Sequence, residues 1–251
     1  MIVIKNKQAI QKMHQAGMRL AEIFEIIETK LAVGMTTLDI EKLVEVELKK
    51  RELISRSKGY MGYKHITCIS IDDEVVHGIP SVNRILQDGN IVSIDICVSL
   101  KGYCADMARS FIIGKGSQEA IRLIAVAKSA LDKGIAKAIP GNRLSDISNA
   151  IQQEVEAAGF NVVRDFAGHG IGKQLHEDPE VVNFGEAGKG PILRVGMTLA
   201  IEPMITQGRY EVFVDKDGWT VKTKDKSLAA HVEDTVAITE SGPMILTRFG
   251  S

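Results

Sequence analysis

The stretch Ile91–Phe111, IVSIDICVSLKGYCADMARSF, decides how this chain folds. Two apolar, β-prone runs flank a Leu-Lys-Gly turn signal at 100–102, and this pattern predicts a β-hairpin. Asp95 lies in the first run and Asp106 in the second, although aspartate is depleted in strands and rarely buried without a partner. Two carboxylates held face to face repel each other, and a cation between them removes the repulsion. The hairpin therefore predicts half of a metal site.

Helical and strand-like patterns alternate on both sides of the hairpin. Apolar residues recur at helical spacing over 7–31, and Thr36 with Asp39 predicts a capping box for a second helix through Leu53. Further strand-like runs are predicted at 66–71, 161–166, 197–201, 210–214 and 228–238, further helices at 120–138 and 145–158, and a loop at 55–63.

The second half of the chain repeats the first at an offset of 107 residues. The shared feature that matters most is an acid inside an apolar strand, because such acids are uncommon. The repeat predicts one catalytic domain, 1–251, made of two pseudo-equivalent αα-β halves at about 1–115 and 116–251. The offset aligns Gly34 with Gly141, Asp39 with Asp146, Ile40 with Ile147, and Asp95 with Glu202.

Two more residues complete a candidate metal constellation. Glu233 lies in the β-prone run 230–235, and His169 stands among glycines that leave its ring unobstructed. Four carboxylates and one imidazole suit one or two divalent ions such as Mn, Fe or Co. If two ions share the site, Asp106 and Glu233 are natural bridging ligands. The five candidate ligands are Asp95, Asp106, His169, Glu202 and Glu233.

Other motif interpretations fail on spacing. The glycine-rich segment 168–174 is one residue short of a Walker loop and ends in Gln rather than Ser or Thr. Segment 176–180 begins like a zincin helix but lacks the second histidine, and Pro179 would disrupt a helix. His231 lies two positions before Glu233, so strand alternation places it on the same face as a wall residue.

Composition limits the class of protein. A formal net charge of -1 gives no electrostatic case for nucleic-acid specificity or a membrane surface. Three cysteines without a CxxC pair predict reduced thiols in a cytoplasmic protein. No apolar run approaches the roughly 20 residues that span a bilayer, and the N-terminus lacks a signal-peptide core.

Four motifs together resemble those of type I methionine aminopeptidases, and the resemblance runs essentially end to end. It implies an α+β pita-bread fold, in which two pseudo-twofold αα-β halves form a central, mostly antiparallel sheet backed by helices. It also implies that the five residues chosen above hold two metal ions. No long insertion or zinc-finger extension is present, which points to the minimal bacterial form. The motifs are EVVHGIP at 74–80, two aspartates eleven residues apart at 95 and 106, GHGIG at 168–172 and IEPM at 201–204.

The resemblance also implies an activity, the removal of the N-terminal methionine from nascent proteins and peptides with a small second residue. Two divalent ions (Co, Mn or Fe) would supply a bridging hydroxide near neutral pH. Glu202 would shuttle the proton to the leaving amine. His176 would stabilise the oxyanion, and His77 would hold the amide nitrogen of the second residue.

Positions that match a methionine pocket follow from the same resemblance. Aromatic and thioether side chains suit a flexible methionine. Leu175 replaces an aromatic residue of some relatives, and Cys97 replaces a threonine. Because Ile2 is large, the chain's own Met1 is expected to stay in place. The matching positions are Tyr60, Tyr63, Cys68, Leu175, Met204 and Trp219.

A processor of nascent chains should contact the ribosome transiently, and we expect a monomer without membrane attachment. One alternative is an Xaa-Pro aminopeptidase, which shares the metal core but usually brings an additional N-terminal domain. Another is a non-catalytic binding module of the same fold, which would have lost ligands.

Overall fold

A computed structural model describes residues 1–250 of the chain. The α-helices are α1 (Lys7–Lys30), α2 (Thr37–Lys50), α3 (Gln118–Ala136) and α4 (Leu144–Ala157). The strands are β1 (Ile54–Ser55), β2 (Cys68–Ile71), β3 (Glu74–Val76), β4 (Ile91–Leu100), β5 (Tyr103–Ile112), β6 (Asn161–Val162), β7 (Gly168–Gly170), β8 (Glu177–Val181), β9 (Thr198–Ile201), β10 (Met204–Thr206), β11 (Val212–Val214), β12 (Val221–Thr223), β13 (Ala229–His231), β14 (Glu233–Thr239) and β15 (Gly242–Ile245).

One large antiparallel sheet organises the molecule. Its main path runs β1-β4-β5-β14-β9-β7-β8, with β2 on β4 and β15 on β14. Strands of the two halves of the chain meet where β5 pairs with β14. Two three-stranded sheets, β13-β10-β6 and β11-β12-β3, lie beside it. The predicted α+β class with a central antiparallel sheet is confirmed.

The helices cover this sheet because each presents a buried apolar stripe. In α1 the stripe includes Met13, Leu20 and Ile27, and the helix packs on β4 and β5. In α2 the predicted capping box is present, since Thr36 and Asp39 exchange side-chain and backbone hydrogen bonds. The helices of the first half and those of the second half pack into separate apolar cores.

The 107-residue repeat is visible in the backbone. Gly34 and Gly141 both take positive φ, 90° and 93°, which glycine adopts without strain. The residues that follow these glycines form matching isolated β-bridges. The backbone hydrogen bonds next to the two bridges match in the same way. The bridges join Thr36 to Ile85 and Arg143 to Ile192.

Several element boundaries differ from the predicted ones. The run predicted as one strand at 228–238 is two strands, because β13 pairs with β10 in a small sheet whereas β14 pairs in the large one. Between them the Val232 N–H donates to the Pro203 carbonyl. The predicted loop at 55–63 contains a 3-10 turn, Tyr60–Gly62. Strand β8 was not predicted, because its acidic, proline-containing sequence lacks a strand pattern.

Candidate metal centre and substrate cavity

Every candidate site residue chosen from the sequence lines one cavity of about 280 Å³. That volume is near the lower end of the roughly 300–1,000 Å³ typical of small-molecule sites, and it suits a single residue with the groups that act on it. The residues it brings together are Tyr60, Tyr63, Cys68, His77, Asp95, Asp106, His169, Leu175, His176, Glu202, Met204, Trp219 and Glu233.

Strand register places three of the acids side by side. Asp95 on β4 and Glu233 on β14 both stand opposite Ala108 of the central strand β5. Asp106 lies two positions before Ala108, so it faces the same side of the sheet. The small alanine side chain leaves the space between these carboxylates open to the cavity.

The donor atoms of these residues converge. His169 Nε2 lies 3.6 Å from Glu202 Oε1 and 3.8 Å from Asp106 Oδ2. Asp106 and Glu233 each belong to two groups of potential ligands whose donor atoms lie within 4.8 Å of one another, which is the arrangement that bridging carboxylates need. The groups are Asp95–Cys97–Asp106, Asp106–His169–Glu233 and Glu202–His231–Glu233.

The electrostatics of the cluster fit a divalent cation. Burial raises the pKa of Asp106 to about 7 and that of Glu202 to about 8. Burial, and next the charge of Asp106, raises the pKa of Asp95 and of Glu233 well above the ordinary range. Asp106 Oδ1 and Glu233 Oε1 are buried without a hydrogen-bond partner. Unpartnered buried carboxylates are costly, and a bound cation supplies the missing partner.

His169 is prepared to act as a neutral ligand. Burial lowers its pKa to about 4, and its Nδ1 lies 2.9 Å from the Gly170 carbonyl, so a proton on Nδ1 leaves Nε2 free for a metal. The flanking glycines let β7 lie close to its neighbours. A Cβ on Gly168 would come within 2.3 Å of the Ala200 carbonyl oxygen, and one on Gly170 within 2.1 Å of that of Asp178.

The two remaining catalytic candidates are also neutral imidazoles in the cavity. Burial lowers the pKa of His77 to about 4 and lowers that of His176. His77 takes a positive φ of 61° directly after β3, and its ring meets Phe166 edge-on at 5.6 Å. The ring of His176 lies 4.3 Å from that of His169. His176 therefore stands next to the candidate ligands.

The apolar wall of the cavity combines predicted and unpredicted residues. Tyr63 packs edge-on against Trp219 with ring centroids 4.9 Å apart, and the Tyr63 hydroxyl donates to the Thr67 carbonyl at 2.9 Å. Sequence reasoning missed Val76 and Phe166 as wall residues. Their positions in the sequence could have indicated this role, because Val76 directly precedes His77 and Phe166 lies three residues before His169.

His231 lies in the wall of the cavity as predicted, but alternation along one strand does not place it there, because it ends β13 whereas Glu233 begins β14. Its ring is 2% exposed, and Nε2 lies 3.4 Å from Glu202 Oε2 without a hydrogen-bonding geometry. Glu202 therefore faces His169 with one oxygen and His231 with the other.

Comparisons with known proteins agree with this site. The profile of metallopeptidase family M24 matches residues 11–240. The methionine aminopeptidase of Clostridium acetobutylicum is 51% identical over 98% of this chain and 99% of its own length. Methionine aminopeptidase 1 of Bacillus subtilis is 43% identical over 99% of this chain and 100% of its own length. The crystal structure of the Thermotoga maritima methionine aminopeptidase superposes with a TM-score of 0.97 at 44% identity, covering 99% of this chain and 100% of that one. Prolidase from Pyrococcus furiosus shares the fold, with a TM-score of 0.78 at 21% identity over 99% of this chain and 66% of that one.

Proposed function

Because this chain belongs to metallopeptidase family M24, on the side of the methionine aminopeptidases, we propose how its own residues carry out the family's reaction. The chain is a metallo-exopeptidase that removes N-terminal methionine. Its relatives at 40–51% identity are named methionine aminopeptidases, whereas the prolidases at 21–22% identity share only the fold. The pita-bread fold expected from the sequence is confirmed by the same neighbours.

We propose that Asp95, Asp106, His169, Glu202 and Glu233 hold two divalent ions, with Asp106 and Glu233 shared between them. The supporting observation is that Asp106 and Glu233 each stand in two donor groups and each keep a buried oxygen without a partner. When bound, such ions lower the pKa of water and polarise a carbonyl. The oxygen-rich donor set with one imidazole favours Mn, Fe or Co.

The side chains around this centre would move protons and hold the substrate. Glu202 can pass a proton to the leaving amine through Oε2, because that oxygen faces His231 rather than His169. His231 Nε2 lies 3.4 Å from this oxygen. His176 would donate a hydrogen bond to the developing oxyanion. His77 would hold the amide nitrogen of the second residue.

The apolar wall would select methionine. Cys68, Leu175 and Met204 are buried and line the cavity together with the Tyr63–Trp219 pair. A lining that combines aromatic rings with sulfur-containing and aliphatic side chains suits a thioether. Tyr60 stands at the mouth with 43% of its surface exposed and packs 5.0 Å from the His176 ring. We propose that it closes the site over a small second residue.

The main support for this proposal is that buried carboxylates converge with His169 in one cavity. A comparison of peptide substrates tests it. The metal-stripped protein is assayed on Met-Ala and Xaa-Pro peptides, with and without added Mn²⁺ or Co²⁺. We expect metal-dependent cleavage of Met-Ala peptides alone, and a loss of at least about a hundredfold in Asp106→Asn, because a bridging ligand is removed. Xaa-Pro cleavage, full Asp106→Asn activity, or no cleavage with any metal would refute the assignment.

We also propose that residues 1–251 act as one catalytic domain and as a monomer. The sheet that joins strands from about 1–115 with strands from about 116–251 supports a single unit. Three buried free cysteines support a reducing cytoplasm, where a transient ribosome contact would deliver nascent chains. No helix within residues 1–250 is long and apolar enough to cross a membrane.

A further inference from the structure

The two halves of the large sheet meet at a short seam between β5 and β14. Within residues 1–250 these strands share two register pairs, Ala108 with Glu233 and Met107 with Asp234. In contrast, β4 and β5 stay paired along their whole lengths. Proposed ligands stand on both sides of the seam, Asp106 on β5 and Glu233 on β14. Such a short ladder holds their spacing weakly, so other contacts have to set it.

Thr235 bridges the seam through its side chain. Its hydroxyl accepts a hydrogen bond from the Asp106 backbone N–H and donates to the Asp106 carbonyl, both at 2.9 Å. The backbone of Thr235 pairs with Ala200 of β9, in the second half. Thr235 is completely buried, so solvent does not compete for these bonds. The hydroxyl therefore ties the backbone of a first-half ligand to the second half.

Arg109 bridges the same seam from the face that the helices cover. Its Nη1 donates to the Glu233 carbonyl at 2.5 Å, and its Nη2 donates to Asp234 Oδ1 at 2.7 Å. Asp234 is completely buried and also accepts hydrogen bonds from Thr247 Oγ1 at 2.7 Å and Arg248 Nε at 2.6 Å. A buried carboxylate with three such donors is a firm anchor for the guanidinium.

We propose that Thr235 and Arg109 are positioning residues that set the spacing between the metal-holding carboxylates of the two halves. Thr235 acts through the backbone of Asp106, and Arg109 acts through the backbone of Glu233. The inference rests on the proposed function, because it requires Asp106 and Glu233 to share divalent ions. Groups that orient metal ligands typically change metal affinity by about 10–100-fold.

A matched pair of variants at Thr235 tests this role. Thr235→Val keeps the shape of the side chain and removes the hydroxyl, whereas Thr235→Ser keeps the hydroxyl. Mn²⁺ affinity and stoichiometry are measured by calorimetry on metal-stripped proteins whose folding is checked by circular dichroism. We expect Thr235→Val to bind Mn²⁺ about 10–100-fold more weakly and Thr235→Ser to stay within a few-fold of the parent. Parental affinity in Thr235→Val, or equal weakening in both variants, overturns the proposal.

Two further variants keep the test decisive. If Thr235→Val does not fold, Arg109→Met decides, since a tenfold or larger loss of affinity supports the proposal and an unchanged affinity overturns it. Lys133→Met removes an ion pair with Glu154 between α3 and α4, and it should bind Mn²⁺ like the parent. An equal loss in that control overturns the specific role of the seam.

The same titration separates the two proposals. A parent protein that binds no Mn²⁺ would refute the proposed metal site itself. A parent that binds Mn²⁺ while Thr235→Val binds equally well would refute the role of the seam and leave the metal site standing.

Discussion

At the scale of single residues, the site depends on imidazoles kept neutral by burial. The pKa values of His77 and His169 fall to about 4, and that of His176 is also lowered, in each case first by burial. A neutral ring can bind a metal ion or donate one hydrogen bond, and it adds no charge to a site that already contains several carboxylates. Their chemistry is therefore decided by where each ring nitrogen points.

His176 gives a residue-scale prediction. Replacing it by Ala removes the proposed oxyanion donor, which stabilises charge that develops only in the transition state. We expect kcat on a Met-Ala peptide to fall by about 10²–10³ while KM changes little. His14→Gln on α1, outside the cavity, should retain parental kcat. A His176→Ala enzyme that changed KM alone would show that the ring binds substrate but does not act on the oxyanion.

At the scale of elements, the C-terminal segment lies close against helix α1 because Gly17 has no side chain. A Cβ on Gly17 would come within 2.0 Å of the Leu246 carbonyl oxygen. In α3 a Cβ on Gly134 would meet the Ile151 side chain at 2.8 Å. The first obstacle is backbone and the second is a side chain, which can shift with less disturbance to the fold. Alanine should therefore be tolerated better at position 134 than at position 17.

Gly17→Ala should therefore be the more damaging of two chemically identical changes. Alanine is the better helix former by about 1 kcal/mol, but overpacking against fixed backbone costs about 1–3 kcal/mol. We expect Gly17→Ala to lower the free energy of unfolding and Gly134→Ala to lower it less or raise it, as measured by urea denaturation. Equal changes in the free energy of unfolding for the two variants would mean that the C-terminal segment moves easily to make room for the added methyl group.

At the scale of the whole molecule, the cluster of acids makes metal-free stability depend on pH. Folding raises the pKa of Asp106 from 3.8 to about 7 and that of Glu202 from 4.5 to about 8. The folded protein therefore binds protons that the unfolded chain has released. By linkage, the stabilising contribution is present below the unfolded pKa values and is lost as the pH rises through the folded ones.

The metal-free protein should accordingly lose stability between about pH 4 and pH 8. Each proton held only by the folded state contributes up to about 1.4 kcal/mol per pH unit. Urea denaturation with a chelator should show this slope, and saturating Mn²⁺ should raise stability most at the high-pH end, because metal binding requires deprotonated ligands. Asp106→Asn should flatten the slope. A parental slope of zero or of opposite sign would contradict the buried-acid account.

The sequence by itself determined the hairpin of β4 and β5, the repeat of two halves and the identity of the acids that face the cavity. These features are local, because period-two alternation, turn residues and an acid in an apolar run can each be recognised from residues that are neighbours in the sequence. The same locality explains why α1 and its stripe were predicted within one residue of the observed helix end.

Only the tertiary structure decided how these parts act on one another. The division of 228–238 between two sheets depends on which strand each piece meets, and the sequence does not carry that information in neighbouring residues. The wall residue Phe166 and the seam contacts of Thr235 and Arg109 join positions that lie far apart in the chain. Such contacts follow from long-range packing, which no local pattern specifies.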